Sequence, residues 1–227
     1  MKRYQAVLTL TALSITLGAC SNLERSRDLS NPQVSGNTLA QQVCSTCHGG
    51  TTINTNGNSI NPTYPNLAGQ QAEYLQTELQ EFHDQTRKDK MAKDYMWGLS
   101  SRLTTEQMKN IADYYAHQKP LPNPNQSNPA LVAAGEKLFA EGVPDKGVPA
   151  CASCHGTNAE GNGPIPRLAG QHANYLYKQL MVFNTDAGRE NHPEALERPH
   201  GAAMENISHG LDDLQKHEVA AYLQALK

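Results

Sequence analysis

The sequence predicts an all-α protein made of two tandem helical domains. Three observations lead to this prediction. The pattern C-x-x-C-H occurs at 44–48 and again at 151–155. Each copy is followed by segments whose apolar residues are three and four apart, the spacing of an amphipathic helix. A proline-rich segment separates the two halves, and no segment alternates in the manner of a strand. The chain is therefore an internal repeat with two similar units.

The C-x-x-C-H motif brings two thiols and an imidazole together. On a helical turn, residues three and four apart lie on one face. Covalent haem attachment needs this arrangement, because Cys44 and Cys47 can add to the two vinyl groups while His48 reaches the iron. The second copy predicts the same roles for Cys151, Cys154 and His155. We therefore expect two covalently attached haem c groups.

Two other uses of paired cysteines are a four-cysteine zinc site and a pair of dithiol redox motifs. A zinc site does not need a histidine directly after each cysteine pair, and a thioredoxin-like motif belongs in a βαβ context. The motif therefore favours haem. The composition agrees, because 227 residues with 38% hydrophobic and 6% aromatic content offer little apolar material for two small cores. Covalently bound porphyrins would supply apolar volume and a covalent staple.

The N-terminus has the layout of an export signal. Lys2 and Arg3 precede an apolar run over 6–17, which is too short to span a bilayer as a helix. The run ends in Leu17-Gly-Ala-Cys20, which resembles a bacterial lipobox. We expect removal of residues 1–19, acylation of Cys20, a lipidated flexible tether over 20–35, and a protein anchored to a membrane in the periplasm. The alternatives are an ordinary soluble secreted protein and, for the tether, an ordered arm on the first domain.

The cysteine count and the charge agree with this interpretation. Five cysteines divide into four for two haems and one for lipid, with none left for a disulfide. Removal of 1–19 leaves 17 basic against 22 acidic residues, a formal charge of −5. No basic stripe is present, so we expect no nucleic-acid partner.

The repeat sets the domain boundaries: domain one at 36–118, a linker with four prolines at 119–129, and domain two at 130–227. Within each domain, a Pro-x-Leu-Ala-Gly-Gln segment precedes an amphipathic helix, and the second copy lies 101 residues after the first. The helix of domain one buries Leu75, Leu79 and Phe82, and that of domain two Leu176, Leu180 and Phe183. A final helix begins at a capping box in each domain, Thr104 with Gln107 and Asp212 with Gln215.

The repeat also selects the second axial ligand of each iron. Met96 lies seven residues before Leu103, and Met204 lies seven residues before Leu211. We therefore predict Met96 and Met204 as ligands opposite His48 and His155. Met91, Met108 and Met181 do not recur in this way and are expected to pack, as is Trp97 against the porphyrin. The histidines outside the motifs do not recur either and are expected to be exposed or in loops, although a bis-histidine haem in one domain stays open.

These motifs resemble the dihaem branch of class I cytochromes c, the cytochrome c4 type, over about residues 36–227. The resemblance implies two helical domains facing each other across a pseudo-twofold axis, each wrapped around one haem. It also implies that the carbonyls of Pro65 and Pro166 accept a hydrogen bond from the axial histidines. The chain departs from the family in its lipobox and in an insertion rich in Asn and Thr over 49–64.

The resemblance implies an electron carrier without catalytic residues. Its partners would be a quinol-oxidising bc-type complex as donor and a haem-copper terminal oxidase as acceptor. The main alternative is the electron-accepting haem subunit of a periplasmic dehydrogenase. A dihaem peroxidase needs one iron that opens to peroxide, and a methionine on each iron argues against it.

Overall fold

The computed structural model describes residues 25–49, 57–186 and 196–227. These residues form helices and loops, and their only β-type pairings are two isolated bridges, Val143 with Val148 and Asn162 with Ile165. The predicted fold class is confirmed. The predicted signal peptide, Cys20 and residues 50–56 of the 49–64 insertion lie outside the described residues.

Each domain contains one long helix after its haem motif and one long helix at its end. Domain one comprises α1 (Gly36–Leu39), a π-helical turn (Ala40–Cys44), α2 (Ser45–His48), α3 (Ala72–His83), a second π-helical turn (Ala92–Met96), α4 (Trp97–Ser100) and α5 (Thr105–Ala116). Domain two comprises α6 (Pro129–Glu141), a 3₁₀ turn (Pro144–Lys146), α7 (Ala152–His155), α8 (Ala173–Asp186), a 3₁₀ turn (Pro199–Gly201), α9 (Ala203–Gly210) and α10 (Asp213–Ala225). None of these described helices is long and apolar enough to cross a membrane.

The first helix of each domain packs across the last, α1 against α5 and α6 against α10. A glycine lies at each crossing. A Cβ on Gly36 would lie 2.4 Å from the carbonyl oxygen of Gln107, and one on Gly135 would lie 2.0 Å from that of Glu218. The two glycines correspond once the eight-residue loop 142–149 of domain two is discounted. The repeat thus extends to the backbone contact that closes each domain.

The last helices begin and pack as the sequence predicts. Both capping boxes form, with the side chain of Thr104 or Asp212 accepting from the N3 backbone amide and the N3 glutamine closing the box. Their inner faces are buried, with Ile111, Ala112 and Tyr115 in α5 and Val219, Ala220 and Leu223 in α10.

The segment between each haem motif and the next helix is bound to the last helix of its domain. The Gly69 amide donates to the carbonyl of Tyr115 at 3.0 Å, and the Gly170 amide to that of Leu223 at 2.8 Å. Both glycines have positive φ, +65° and +72°, which disfavours any residue with a Cβ. This hydrogen bond anchors the loop, and it therefore helps to fix the position of the proline four residues earlier relative to the motif histidine.

The prediction of a flexible tether over 20–35 needs correction at its C-terminal end. Leu29 and Val34 pack against the core of domain one. The side-chain amide of Gln107 donates to the carbonyls of Asn31 at 3.0 Å and Val34 at 2.8 Å. Residues 29–35 are therefore an arm held on domain one, because the capping-box glutamine has an amide left to bind them.

The linker is non-helical between Lys119 and Asn128 and is held along its length. Asn58 donates to the carbonyl of Lys119 at 3.1 Å and accepts from the Leu121 amide at 2.9 Å. Further on, Asn123 donates to the carbonyl of Gly170 at 3.1 Å. Residues of both domains thus bind the linker.

We predict that Gly135→Ala destabilises domain two by about 1–3 kcal/mol, because its Cβ would overlap the backbone of α10. The matched control is Gly98→Ala in α4, where a Cβ would have no neighbour within 4 Å. This control should be neutral or stabilising by about 0.5–1 kcal/mol. Thermal unfolding of the haem-loaded protein, followed by circular dichroism, measures both. Equal melting temperatures would contradict the assigned close approach.

Candidate haem-binding site

A continuous cavity of about 420 Å³ runs between the two domains. Its lining surface is mostly apolar, and Leu, Ile, Val, Phe and Tyr supply many of the side chains. All ten residues that the sequence assigns to the haem groups line it, namely Cys44, Cys47, His48, Pro65, Met96, Cys151, Cys154, His155, Pro166 and Met204. Cys20, predicted to carry lipid, lies outside the described residues. One interior therefore connects the two C-x-x-C-H motifs.

The two motif histidines are oriented identically. His48 Nδ1 lies 3.0 Å from the carbonyl oxygen of Pro65, and His155 Nδ1 lies 3.0 Å from that of Pro166. A carbonyl oxygen can only accept, so Nδ1 carries the proton and Nε2 keeps a free lone pair. Burial lowers the pKa of both imidazoles, which favours the neutral form. A neutral ring with a free Nε2 is the form that can bind iron.

The cysteines lie in or next to short helical turns. Cys44 ends the first π-helical turn, and Cys47 lies in α2 directly before His48. In domain two, Cys151 caps α7 and Cys154 lies within it. None of these four cysteines is in a disulfide. Elsewhere in the described part of the chain, no group of three or more His, Cys, Asp or Glu side chains is placed to hold a metal ion.

The methionines differ in whether they line the cavity. Met96 ends the second π-helical turn and Met204 lies in α9, and both face the cavity. Met91 also lines it, so the geometry alone leaves two candidates in domain one. Met108 is buried in the core of domain one. Met181 is 37% exposed, so its predicted packing role is wrong.

Two other expectations also need correction. Trp97 is not among the residues lining the cavity, and its indole donates instead to the carbonyl of Arg87 at 2.7 Å. His172, expected to be exposed or in a loop, lies in the loop before α8 but has no solvent-accessible surface. Its Nε2 donates to the carbonyl of Ser59 at 2.9 Å and its Nδ1 accepts from Asn123 at 3.0 Å. His172 is thus a structural residue between the domains.

A buried cluster of charges, which is not predicted from the sequence, lies between α3 and α8. Arg87 and Arg198, one from each domain, donate to opposite oxygens of Glu78. Both also donate to Gln179 Oε1, at 3.1 and 2.8 Å. Glu78 and Gln179 are repeat equivalents, 101 residues apart, so the cluster joins corresponding positions of the two domains. Position 78 breaks the helical pattern as a charge on the buried face, which is the signal that could have found it.

The same arginines stack on aromatic rings in the same way. Arg87 lies over Phe82 and Arg198 over Phe183, each guanidinium carbon 4.7 Å from the ring centre. These contacts make the two arginines structural equivalents although they are 111 residues apart in sequence. They differ at Nε, since Arg87 donates to Asp89 at 2.6 Å. The two arginine sites are therefore alike in their ring stacking and unlike in their charged partners.

The residues present fit haem. Each half of the cavity has two thiols, a histidine with a free Nε2 and apolar walls. Arg167 and Arg198 also line the cavity, and the Nε of each is buried without a hydrogen-bond partner among the described residues. A buried cationic donor needs an acceptor, and the carboxylates of porphyrin propionates have the required charge.

The chain matches the family model "Cytochrome c" twice, over residues 33–119 and 132–227. The chain belongs to the cytochrome c family. A cytochrome c4 of Thiocapsa roseopersicina is 38% identical over 200 residues, 86% of this chain and 93% of that protein. A thiosulfate dehydrogenase electron acceptor of Thiomonas intermedia is 34% identical over 80% of this chain and 77% of that protein.

The solved structures agree. Reduced recombinant cytochrome c4 from Pseudomonas stutzeri matches with a TM-score of 0.70 at 32% identity, covering 87% of this chain and 100% of that one. This cytochrome is therefore of the c4 type. It carries two covalently attached haem c groups, and it is an electron carrier, not an enzyme.

We predict that Glu78→Gln lowers the free energy of unfolding by about 3 kcal/mol, because two buried guanidinium groups lose a shared counter-charge. Glu73→Gln, on the exposed side of the same helix, is the matched control and should change stability by less than about 0.5 kcal/mol. Denaturant unfolding of the holoprotein measures both, and equal stability of the two variants would contradict the assigned role.

The same variant should show a pH dependence. Burial alone would raise the pKa of Glu78 above its ordinary 4.5, but Arg198 and Arg87 lower it to about 2. A carboxyl group whose pKa is lower in the folded protein stabilises the fold at pH values above its ordinary pKa. This contribution is lost as the pH falls toward the pKa of the folded state. The stability difference between wild type and Glu78→Gln should therefore be largest above pH 4.5 and shrink toward pH 2.

Proposed function

We propose that Cys44 and Cys47 bind the haem of domain one through thioethers, and that His48 and Met96 are its axial ligands. In domain two the same roles fall to Cys151, Cys154, His155 and Met204. The single observation that carries the proposal is the pair of identical histidine-to-proline hydrogen bonds, which leave Nε2 free toward one shared cavity. Haem with two strong axial ligands supplies one-electron chemistry.

The protein's own residues prepare each site for that chemistry. The proline carbonyl holds the imidazole in one tautomer and one plane, so little rearrangement accompanies a change in iron charge. A thioether ligand favours the reduced iron, which raises the potential. With both axial positions filled, neither site has room for peroxide or oxygen. This disfavours the dihaem peroxidase that the motifs alone leave open.

The proposed setting is the periplasmic face of a membrane, to which the acylated Cys20 anchors the protein. The export-signal layout and the lipobox-like 17–20 segment support this placement. There the protein would carry single electrons from a quinol-oxidising bc-type complex to a haem-copper terminal oxidase. A lipid anchor confines diffusion to the surface, which favours membrane-embedded partners.

A second candidate is the electron acceptor of a periplasmic dehydrogenase. The likeness to a thiosulfate dehydrogenase electron acceptor, over most of both chains, specifically favours it. The two candidates share the haem sites and differ only in the donor.

We predict that the reduced wild-type protein does not bind carbon monoxide rapidly at either haem. Met96→Ala and Met204→Ala should each open one iron and remove about half of the methionine-to-iron charge-transfer absorption. Met91→Ala is the matched control in domain one, since Met91 lines the same cavity. Visible spectra with and without carbon monoxide measure all three. If Met96→Ala kept the full charge-transfer band and Met91→Ala lost part of it, the axial ligand of domain one would be Met91 and not Met96.

We predict that Cys20→Ser moves the protein from the membrane fraction to the soluble periplasmic fraction, because the thiol that would carry the lipid is gone. Fractionation with haem staining measures this. The same tagged preparations identify the partner: co-purification with a bc-type complex or an oxidase supports the respiratory role, and a dehydrogenase supports the second candidate. Unchanged membrane retention of Cys20→Ser would contradict the lipid anchor.

A further inference from the structure

Two glutamines make matching hydrogen bonds across the domain interface. Gln171 Oε1 accepts from the amide of Asn66 at 2.9 Å, and Gln171 Nε2 donates to the carbonyl of Asn66 at 2.9 Å. Gln70 makes the same pair of bonds with Arg167, at 2.7 and 2.9 Å. The two glutamines are repeat equivalents, as are the residues they bind. Each domain thus holds one residue of the other by both backbone groups.

The residues held in this way directly follow the two prolines. The carbonyl of Pro65 accepts from His48, and the amide of the same peptide unit belongs to Asn66 and donates to Gln171. One planar peptide group therefore joins the motif histidine of domain one to a side chain of domain two. The peptide unit after Pro166 joins His155 to Gln70 in the same way.

The glutamine side chains are held rigidly. Both are buried, Gln70 at 7% and Gln171 at 5% exposure. Gln171 Oε1 also accepts from the amide of His172 at 3.0 Å, and Gln70 Oε1 from the amide of Gln71 at 2.9 Å. Each oxygen thus receives two amide donors and each nitrogen has a carbonyl acceptor. The amide orientation is fixed, because a flipped amide would place its NH₂ against two donors.

We propose that Gln70 and Gln171 are positioning residues that act crosswise, each adjusting the reduction potential of the haem in the other domain. The proposal rests on the axial histidines assigned under the proposed function. In each site, a series of hydrogen bonds runs from the imidazole through the proline peptide to a glutamine. The glutamine comes from the other domain, so neither domain contains the whole series.

The direction of the effect follows from hydrogen-bond polarisation. An amide that donates through N–H makes its own carbonyl oxygen a stronger acceptor. A stronger acceptor on Nδ1–H makes the imidazole a more basic ligand. A more basic ligand stabilises the oxidised iron, which carries more positive charge. Loss of Gln171 should therefore raise the potential of the haem in domain one, and loss of Gln70 that of the haem in domain two.

The experiment compares Gln171→Leu and Gln70→Leu in the full haem-loaded protein. The control, Gln71→Leu, removes another bond between the domains, from Gln71 Nε2 to the carbonyl of Glu160 at 2.9 Å, without touching either proline peptide. Redox titration followed by proton NMR measures both potentials. The axial methionine methyl signals distinguish the haems, and the Met96→Ala and Met204→Ala variants assign them.

The expected result is a crossed pattern. Gln171→Leu should favour reduction of the haem in domain one by about threefold, equal to about 28 mV at 59 mV per tenfold for one electron. Gln70→Leu should do the same for domain two, and Gln71→Leu should move neither potential. An unshifted pair of potentials, equal shifts at both haems, or a shift confined to the glutamine's own domain would each overturn the proposal.

Two further measurements keep these outcomes interpretable. If Gln171→Leu does not fold, Gln171→Asn keeps the amide on a side chain one methylene too short and should give the same crossed shift. The carbon monoxide experiment tests the axial ligands independently. If both haems are six-coordinate and no crossed shift is found, only the proposed role of the glutamines is refuted. If the axial ligands are assigned wrongly, the spectra of the methionine variants show it independently.

Discussion

The hydrogen bond from each motif histidine to a proline carbonyl determines most of what surrounds it. It fixes the imidazole tautomer, so the nitrogen facing the cavity is always the one with a free lone pair. It also fixes the plane of the proline peptide. Since that peptide is tied on its other side to the opposite domain, and the following glycine is tied to the last helix, the orientation of one imidazole depends on elements from the whole molecule.

Much of this arrangement could be predicted because it is local or repeated. The helix caps, the buried stripes and the C-x-x-C-H turns each depend on residues within one or two turns of one another. The internal repeat added long-range information, since it pairs positions such as Met96 and Met204 that no local pattern distinguishes from other methionines.

The interface could not be predicted, because it depends on contacts between residues about 100 positions apart. His172 reads as an ordinary loop residue in the sequence, and Glu78, a charge on the buried face of its helix, gives no sign there of which residues neutralise it. For the same reason, the ordered arm at 29–35 could be named from the sequence only as an alternative to a flexible tether. Its polar composition resembles a tether, and only the spare amide of Gln107, more than 70 residues away, gives it a binding partner.

The bound linker has a consequence for how the two domains stay together. Their contact relies on directional hydrogen bonds and a buried ion cluster, and such contacts give limited affinity between separate molecules once desolvation is included. The linker joins the domains and makes their association intramolecular. It is itself bound by Asn58, Gly170 and Gln224. The second domain is then present at an effective concentration on the order of millimolar or higher. Covalent connection thus does for this pair what extensive apolar burial does for a permanent dimer.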